Sequence, residues 1–142
     1  MSRMPRTAKL GLLLVLAMAV TLTACGGSAS GGPQTVNVTE QEMSITSSVT
    51  SFTAGVSYHF VITNKGTMPH EFLIMAPTPD PSTVAQARQA ALVTVASTDL
   101  PAGATVTKDF TFSKAVPDGS LEMACHLPGH YEAGMHLSIT VH

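Results

Sequence analysis

Side chains on an extended strand alternate between two faces, so Val56, Tyr58, Phe60 and Ile62 fall on one side of the segment Val56 to Thr63. Four large apolar residues on one face require a second layer to cover them. The same period runs through Val106, Phe110 and Phe112 in Ala104 to Phe112, and through Leu137, Ile139 and Val141 at the C-terminus. Thr35 to Thr46 carries Val36, Val38 and Ile45 among polar residues, as a half-exposed strand does. Glu71 to Met75 reads as a strand ended by Pro77, Pro79 and Pro81, and shorter strands follow at Val93 to Ala96 and Leu121 to Cys125. Turns fall at Asn64-Lys65-Gly66, Pro101-Ala102-Gly103 and Pro117-Asp118-Gly119. One stretch departs from this pattern. Asp80 suits an N-cap, Pro81 the first helical position, and the alanine-rich run Thr83 to Ala91 a helix. The expected fold is all-β, a Greek-key β-sandwich with one short helical insertion.

The N-terminus follows other rules. Arg3, Arg6 and Lys9 precede the apolar run Leu10 to Val20. As a helix that run would be about 16 Å long, roughly half the thickness of a bilayer core, which fits a signal-peptide h-region and not a membrane span. It ends Leu22-Thr23-Ala24-Cys25, which resembles the bacterial lipobox. The resemblance implies cleavage after Ala24 and lipidation of Cys25, with acyl chains anchoring the protein to a membrane. Residues 25–34 are then the lipidated cysteine and a Gly/Ser linker reaching roughly 15–18 Å. Residues 35–142 form the folded domain, exported and held at the extracytoplasmic face of the membrane.

Beyond the leader, four cations (Lys65, Arg88, Lys108 and Lys114) stand against nine Asp and Glu. An acidic domain with no basic stripe excludes nucleic acid as a partner. The chain has two cysteines, and lipidation would consume Cys25. Cys125 is then an unpaired thiol in an oxidising compartment, where cysteines usually pair. Metal ligation explains it.

The segment Cys125-His126-Leu127-Pro128-Gly129-His130-Tyr131-Glu132-Ala133-Gly134-Met135 places Cys, His and Met at four-residue gaps between two expected strands. Upstream, Gly66-Thr67-Met68-Pro69-His70-Glu71-Phe72 offers a second histidine. Two imidazoles, one thiolate and a weak thioether are the type 1 copper donor set. Thiolate and thioether favour Cu(I), whereas imidazole accepts either oxidation state. A trigonal His2Cys plane with a distant Met suits neither state fully, so little need move when an electron is exchanged. Cys125, His130, His70 and Met135 are the expected ligands of one copper ion. His126 is expected to face away from it, because strand neighbours point to opposite sides. His59 and His136 read as surface residues.

Asn64 to Phe72 and Cys125 to Met135 resemble the corresponding motifs of the cupredoxins, the plastocyanin/azurin family of blue copper proteins. The four-residue gaps in the cysteine loop are similar to those of rusticyanin and sulfocyanin, and longer between Cys and His than in plastocyanins. The resemblance implies a one-electron Cu(II)/Cu(I) carrier, not an enzyme. It implies a monomer that docks transiently with redox partner proteins, and His130 as the electron exit. Met68, Pro69, Leu127, Pro128, Ala133 and Met135 are candidates for an apolar patch around it. Backbone N–H groups near Glu71 and Leu127 are positioned to donate to the cysteine sulfur. A copper-binding module for delivery, storage or resistance would use the same ligands. Multicopper and nitrite-reducing enzymes on this fold need further histidines, and the chain has no His-x-His pair.

Overall fold

The computed structural model describes Met1 and residues 31–142. Apart from Met1, the expected leader 1–24, the lipidation site Cys25 and linker residues up to 30 lie outside the described residues. Among those described, no helix is long and apolar enough to cross a membrane.

Among the described residues, nine strands form two sheets. They are β1 (Gln34–Gln41), β2 (Ser44–Ser47), β3 (Ser51–Phe52), β4 (Ser57–Asn64), β5 (Phe72–Met75), β6 (Val93–Val95), β7 (Thr105–Thr111), β8 (Val116–Ala124) and β9 (His136–Val141). One sheet has the order β2-β1-β4-β7 and the other β3-β9-β8-β5-β6. Most neighbours are antiparallel, but β1 runs parallel to β4 and β3 parallel to β9. The facing sides supply the core: Val36, Val38, Phe60 and Ile62 from the first sheet meet Phe52, Phe72, Ile74, Met123, Ile139 and Val141 from the second. Fully burying each such side chain contributes about 1.5–3 kcal/mol. Strand β5 is buried along its whole length, which explains why Phe72-Leu73-Ile74-Met75 is apolar without alternation.

Three expectations change in detail. The single strand expected from Thr35 to Thr46 is a hairpin, β1 and β2, turning through Glu42 and Met43, with Met43 at φ 59°. The turn expected at Pro117-Asp118-Gly119 lies inside β8, where pairing with β9 is interrupted between Val116 and Leu121 and Gly119 takes φ 77°. A bulge lets one long strand absorb the residues that otherwise signal a turn. The helix is shorter than its alanine-rich sequence: a 3-10 turn, Pro81–Thr83, leads into α1, Val84–Gln89. Asp80 caps the 3-10 turn, its Oδ1 accepting from the Ser82 N–H at 2.9 Å. The two-residue strand β3 has too few residues to display a period, and sequence pattern does not reveal it.

Candidate metal centre

Three strand ends converge at one end of the sandwich. Cys125 follows β8, Met135 precedes β9, and His70 precedes β5. The loop from Cys125 to Met135 is closed by its own backbone. The Cys125 N–H donates to the Met135 carbonyl, and the Met135 N–H to the His130 carbonyl, both at 3.0 Å. Within it the His130 N–H donates to the Leu127 carbonyl at 3.0 Å. Gly129 and Gly134 adopt φ 82° and 102°, a region closed to most side chains, and so let the loop reverse twice.

The His70 segment is held separately. Asn64, fully buried at the end of β4, donates through Nδ2 to the carbonyls of Met68 (2.7 Å) and Leu100 (3.0 Å). The His70 N–H also donates to Leu100, at 3.2 Å. The Glu42 carboxylate, from the β1–β2 turn, accepts from the Thr67 N–H, the Thr67 hydroxyl and the Met68 N–H. Those contacts, the Thr67 N–H foremost, hold its carboxyl down to about 2. A Cβ on Gly66 would come within 2.5 Å of that carboxylate, so the close approach favours glycine there.

The side chains of His70, His130 and Cys125 come together. His70 Nδ1 lies 3.2 Å from His130 Nδ1, which lies 3.4 Å from Cys125 Sγ. The three donor atoms all fall within 4.8 Å of one another, and all three residues are buried. Donors bound about 2.0–2.3 Å from one first-row ion stand roughly 3.1–3.8 Å apart, so this set fits a single metal ion. Met135 is fully buried and packs in the same core cluster as Cys125. Burial first, and the His130 charge second, lower the His70 imidazole below its ordinary value. Burial pushes the Cys125 thiol up to about 11, while backbone N–H groups of Glu71 and Leu127 pull it back. Those two N–H groups are the pair that the sequence singled out for the sulfur.

Other residues lie as follows. His126 points away from the donors and stacks on Tyr131 (centroids 4.2 Å apart), which stacks in turn on His136 at 4.6 Å. His59 and His136 have side chains 37% and 41% exposed, as surface residues should. His130 is 8% exposed, so only its edge reaches solvent. Met68, Pro69, Pro128 and Ala133 are exposed around it, but Met135 is fully buried and cannot form part of a surface patch.

Sequence reading overlooked a cluster of buried charge. Glu40 is fully buried near the end of β1 and neither carboxylate oxygen has a partner. Burial first, and the Glu71 charge second, push its carboxyl up to about 8. Its signal was present in phase: Glu40 continues the inward positions of Val36 and Val38. Glu71 is also buried and pairs with Arg88 of α1 at 2.6 Å. Nothing in the local sequence joins two residues seventeen apart.

No protein-family model matches the sequence, and no curated protein matches it. Solved structures do. An auracyanin from Roseiflexus castenholzii, reduced with dithionite, is 21% identical and aligns with 79% of this chain and 99% of its own, at a TM-score of 0.57. Auracyanin A from Chloroflexus aurantiacus, described as a "blue" copper protein, is 20% identical over 78% of this chain and 100% of its own, with TM-score 0.55. Rusticyanin from Thiobacillus ferrooxidans is 19% identical over 78% of this chain and 79% of its own, with TM-score 0.54. The chain has the cupredoxin fold.

Proposed function

With that fold as the premise, we propose that this chain is a type 1 copper protein that carries single electrons. The observation that carries the reading is the convergence of His70 Nδ1, His130 Nδ1 and Cys125 Sγ in one buried site. Copper bound there supplies a one-electron Cu(II)/Cu(I) couple. His70, Cys125 and His130 would hold the ion strongly, and Met135 would add a weak thioether donor.

The chain's own groups prepare the site for that couple. Three strand ends and the Asn64 hydrogen bonds fix the donor positions, so little reorganisation accompanies a change of charge. The Glu71 and Leu127 N–H groups stabilise negative charge on the Cys125 sulfur. Burial of all three donors keeps water out. His130, with its edge at the surface among Met68, Pro69, Pro128 and Ala133, is the proposed electron exit and docking point for redox partner proteins. A small apolar face suits a brief encounter. The Cys25 lipid anchor, the extracytoplasmic location, the monomeric state and the absence of enzyme activity belong to the same proposal. Delivery or storage of copper is the second reading, and the rigid burial of the donors favours electron transfer over it.

The test is an absorption and EPR spectrum of the copper-loaded, oxidised protein. An intense band at about 600 nm, from thiolate-to-copper charge transfer, is expected, and Cys125→Ser should remove it. Tightly held Cu(I) that never oxidises, in a colourless protein, would overturn the reading. Fast copper handover to an apo-acceptor with negligible electron self-exchange would favour the delivery role.

A further inference from the structure

The ladder between β5 and β8 stops at the pair Leu73 and Ala124. Beyond it lie the segments that carry His70 on one side and Cys125 on the other, so strand pairing no longer sets their separation. Side chains take over there. Glu71 Oε1 accepts from the His126 N–H at 2.9 Å and from Arg88 Nη2 at 2.6 Å. The same Arg88 nitrogen donates to the His126 carbonyl at 2.9 Å. Both backbone polar groups of His126 are therefore held by a single ion pair. Glu71 is the neighbour of His70, and His126 the neighbour of Cys125. Arg88 comes from α1, which is inserted between β5 and β6.

This contact differs from an ordinary surface ion pair, which contributes little. Glu71 is only 7% exposed, and hydrogen bonds to a buried charge are shorter and stronger than neutral ones. Without the carboxylate, the His126 N–H would lose its acceptor in a buried setting.

We propose that the Glu71–Arg88 ion pair is the positioning element that holds Cys125 against His70, and that α1 delivers Arg88 to it. This rests on the copper reading above. The clamp sets the separation of thiolate and imidazole before any ion arrives. Copper is then denied the tetragonal arrangement that Cu(II) prefers. Neither residue touches the ion: both act through the backbone of His126.

Three variants test the proposal: Arg88→Met, which keeps the apolar stem, Glu71→Gln, which keeps an acceptor oxygen but removes the charge that holds Arg88, and Arg88→Lys, which keeps a cation with N–H donors. In the metal-free protein, Arg88→Met and Glu71→Gln should each speed hydrogen exchange at the His126 amide about tenfold relative to Met123, inside the β5–β8 ladder. In the copper-loaded protein they should raise copper dissociation about 10–100-fold. They should also widen the copper hyperfine splitting toward that of tetragonal Cu(II). Arg88→Lys should recover most of both effects. The double variant should be no worse than the worse single one, because the two residues hold the His126 backbone as one unit.

Unchanged His126 exchange in Arg88→Met and Glu71→Gln would overturn the clamp. So would faster exchange with dissociation and hyperfine splitting left as in the wild type, since the pair would then be structural only. Should Glu71→Gln fail to unfold cooperatively, Arg88→Met decides alone, because its partly exposed side chain carries no core. A wild-type protein without the visible band would instead overturn the copper reading, and the exchange measurement would still judge the clamp.

Discussion

Where β4 begins and β7 and β9 end, Phe52, Tyr58, Phe60, Phe110 and Phe112 pack ring against ring, with centroids 4.9–6.4 Å apart. Where β1, β4 and β8 end, the buried residues include Glu40, Asn64, His70, Glu71, Glu122, Cys125, His126 and His130. Among the described residues, several atoms at this second end have no hydrogen-bond partner: both Glu40 oxygens, His70 Nε2 and His126 Nε2. Each such atom costs free energy that hydrogen bonding would have offset. The aromatic end supplies the surplus that the polar end consumes. A rigid, dry donor set is possible only because its cost is met some distance away, in packing that takes no part in the chemistry.

The contrast can be broken most forcefully from the aromatic side. Phe52 is fully buried and touches Tyr58, Phe60 and Phe112, so Phe52→Ala should cost about 3–5 kcal/mol in denaturant unfolding. The copper spectrum of the protein that remains folded should not change. Cys125→Ala should do the reverse, losing the spectrum at a far smaller stability cost. A spectral change in Phe52→Ala would show that the two ends are coupled.

Glu40 gives the next largest effect. The folded chain keeps the Glu40 proton up to about pH 8, whereas the unfolded chain releases it near 4.5. The Glu40 contribution to the stability of the metal-free protein is therefore fullest below about pH 4.5 and is lost as pH rises through 8, by several kcal/mol in all. Glu40→Gln should flatten that profile and raise stability at pH 8 to 9. Parallel pH profiles for the two proteins would rule out a buried acid as the cause.

Copper loading sharpens the comparison further. Because burial raises the Cys125 thiol to about 11, binding must release its proton. Copper affinity should rise about tenfold per pH unit from 6 to 9, and competition with a chelator of known affinity measures it. A flat profile would mean that the thiolate is not a ligand. The smallest effect is expected at Glu42, whose grip on the His70 loop holds above about pH 4.5 and is lost as pH falls toward 2. Glu42→Ala should raise amide exchange at Thr67 and Met68 several-fold at neutral pH and leave Phe52 and Tyr58 untouched.

The aromatic end and the donors were legible in the sequence for one reason: both follow local rules. Tyr58, Phe60 and Ile62 declare their face by period, and Cys125, His130 and Met135 lie in one short loop. His70 could be added because its segment had a recognisable pattern. The polar surroundings were not legible. Glu40 reads as an ordinary strand glutamate unless its phase with Val36 and Val38 is given weight. Arg88 reads as a helix-surface cation, and only the packing of α1 over the ligand segments brings it to Glu71. The β1–β2 hairpin was hidden because Glu42 and Met43 make an unremarkable dipeptide, although one of them takes a left-handed backbone.

The parallel pairing of β3 with β9 joins Ser51 and Phe52 to Thr140 and Val141, nearly the full length of the domain apart. Closing so large a loop before any contact rewards it makes for slow folding. The β8–β9 hairpin, by contrast, brings Cys125, His130 and Met135 together over eleven residues and can form early. A refolding chain would thus bring a thiol, an imidazole and a thioether together before His70 packs against them. Metal added at that moment competes with the order of assembly, and refolding rates measured with and without copper will show whether it guides the chain or traps it.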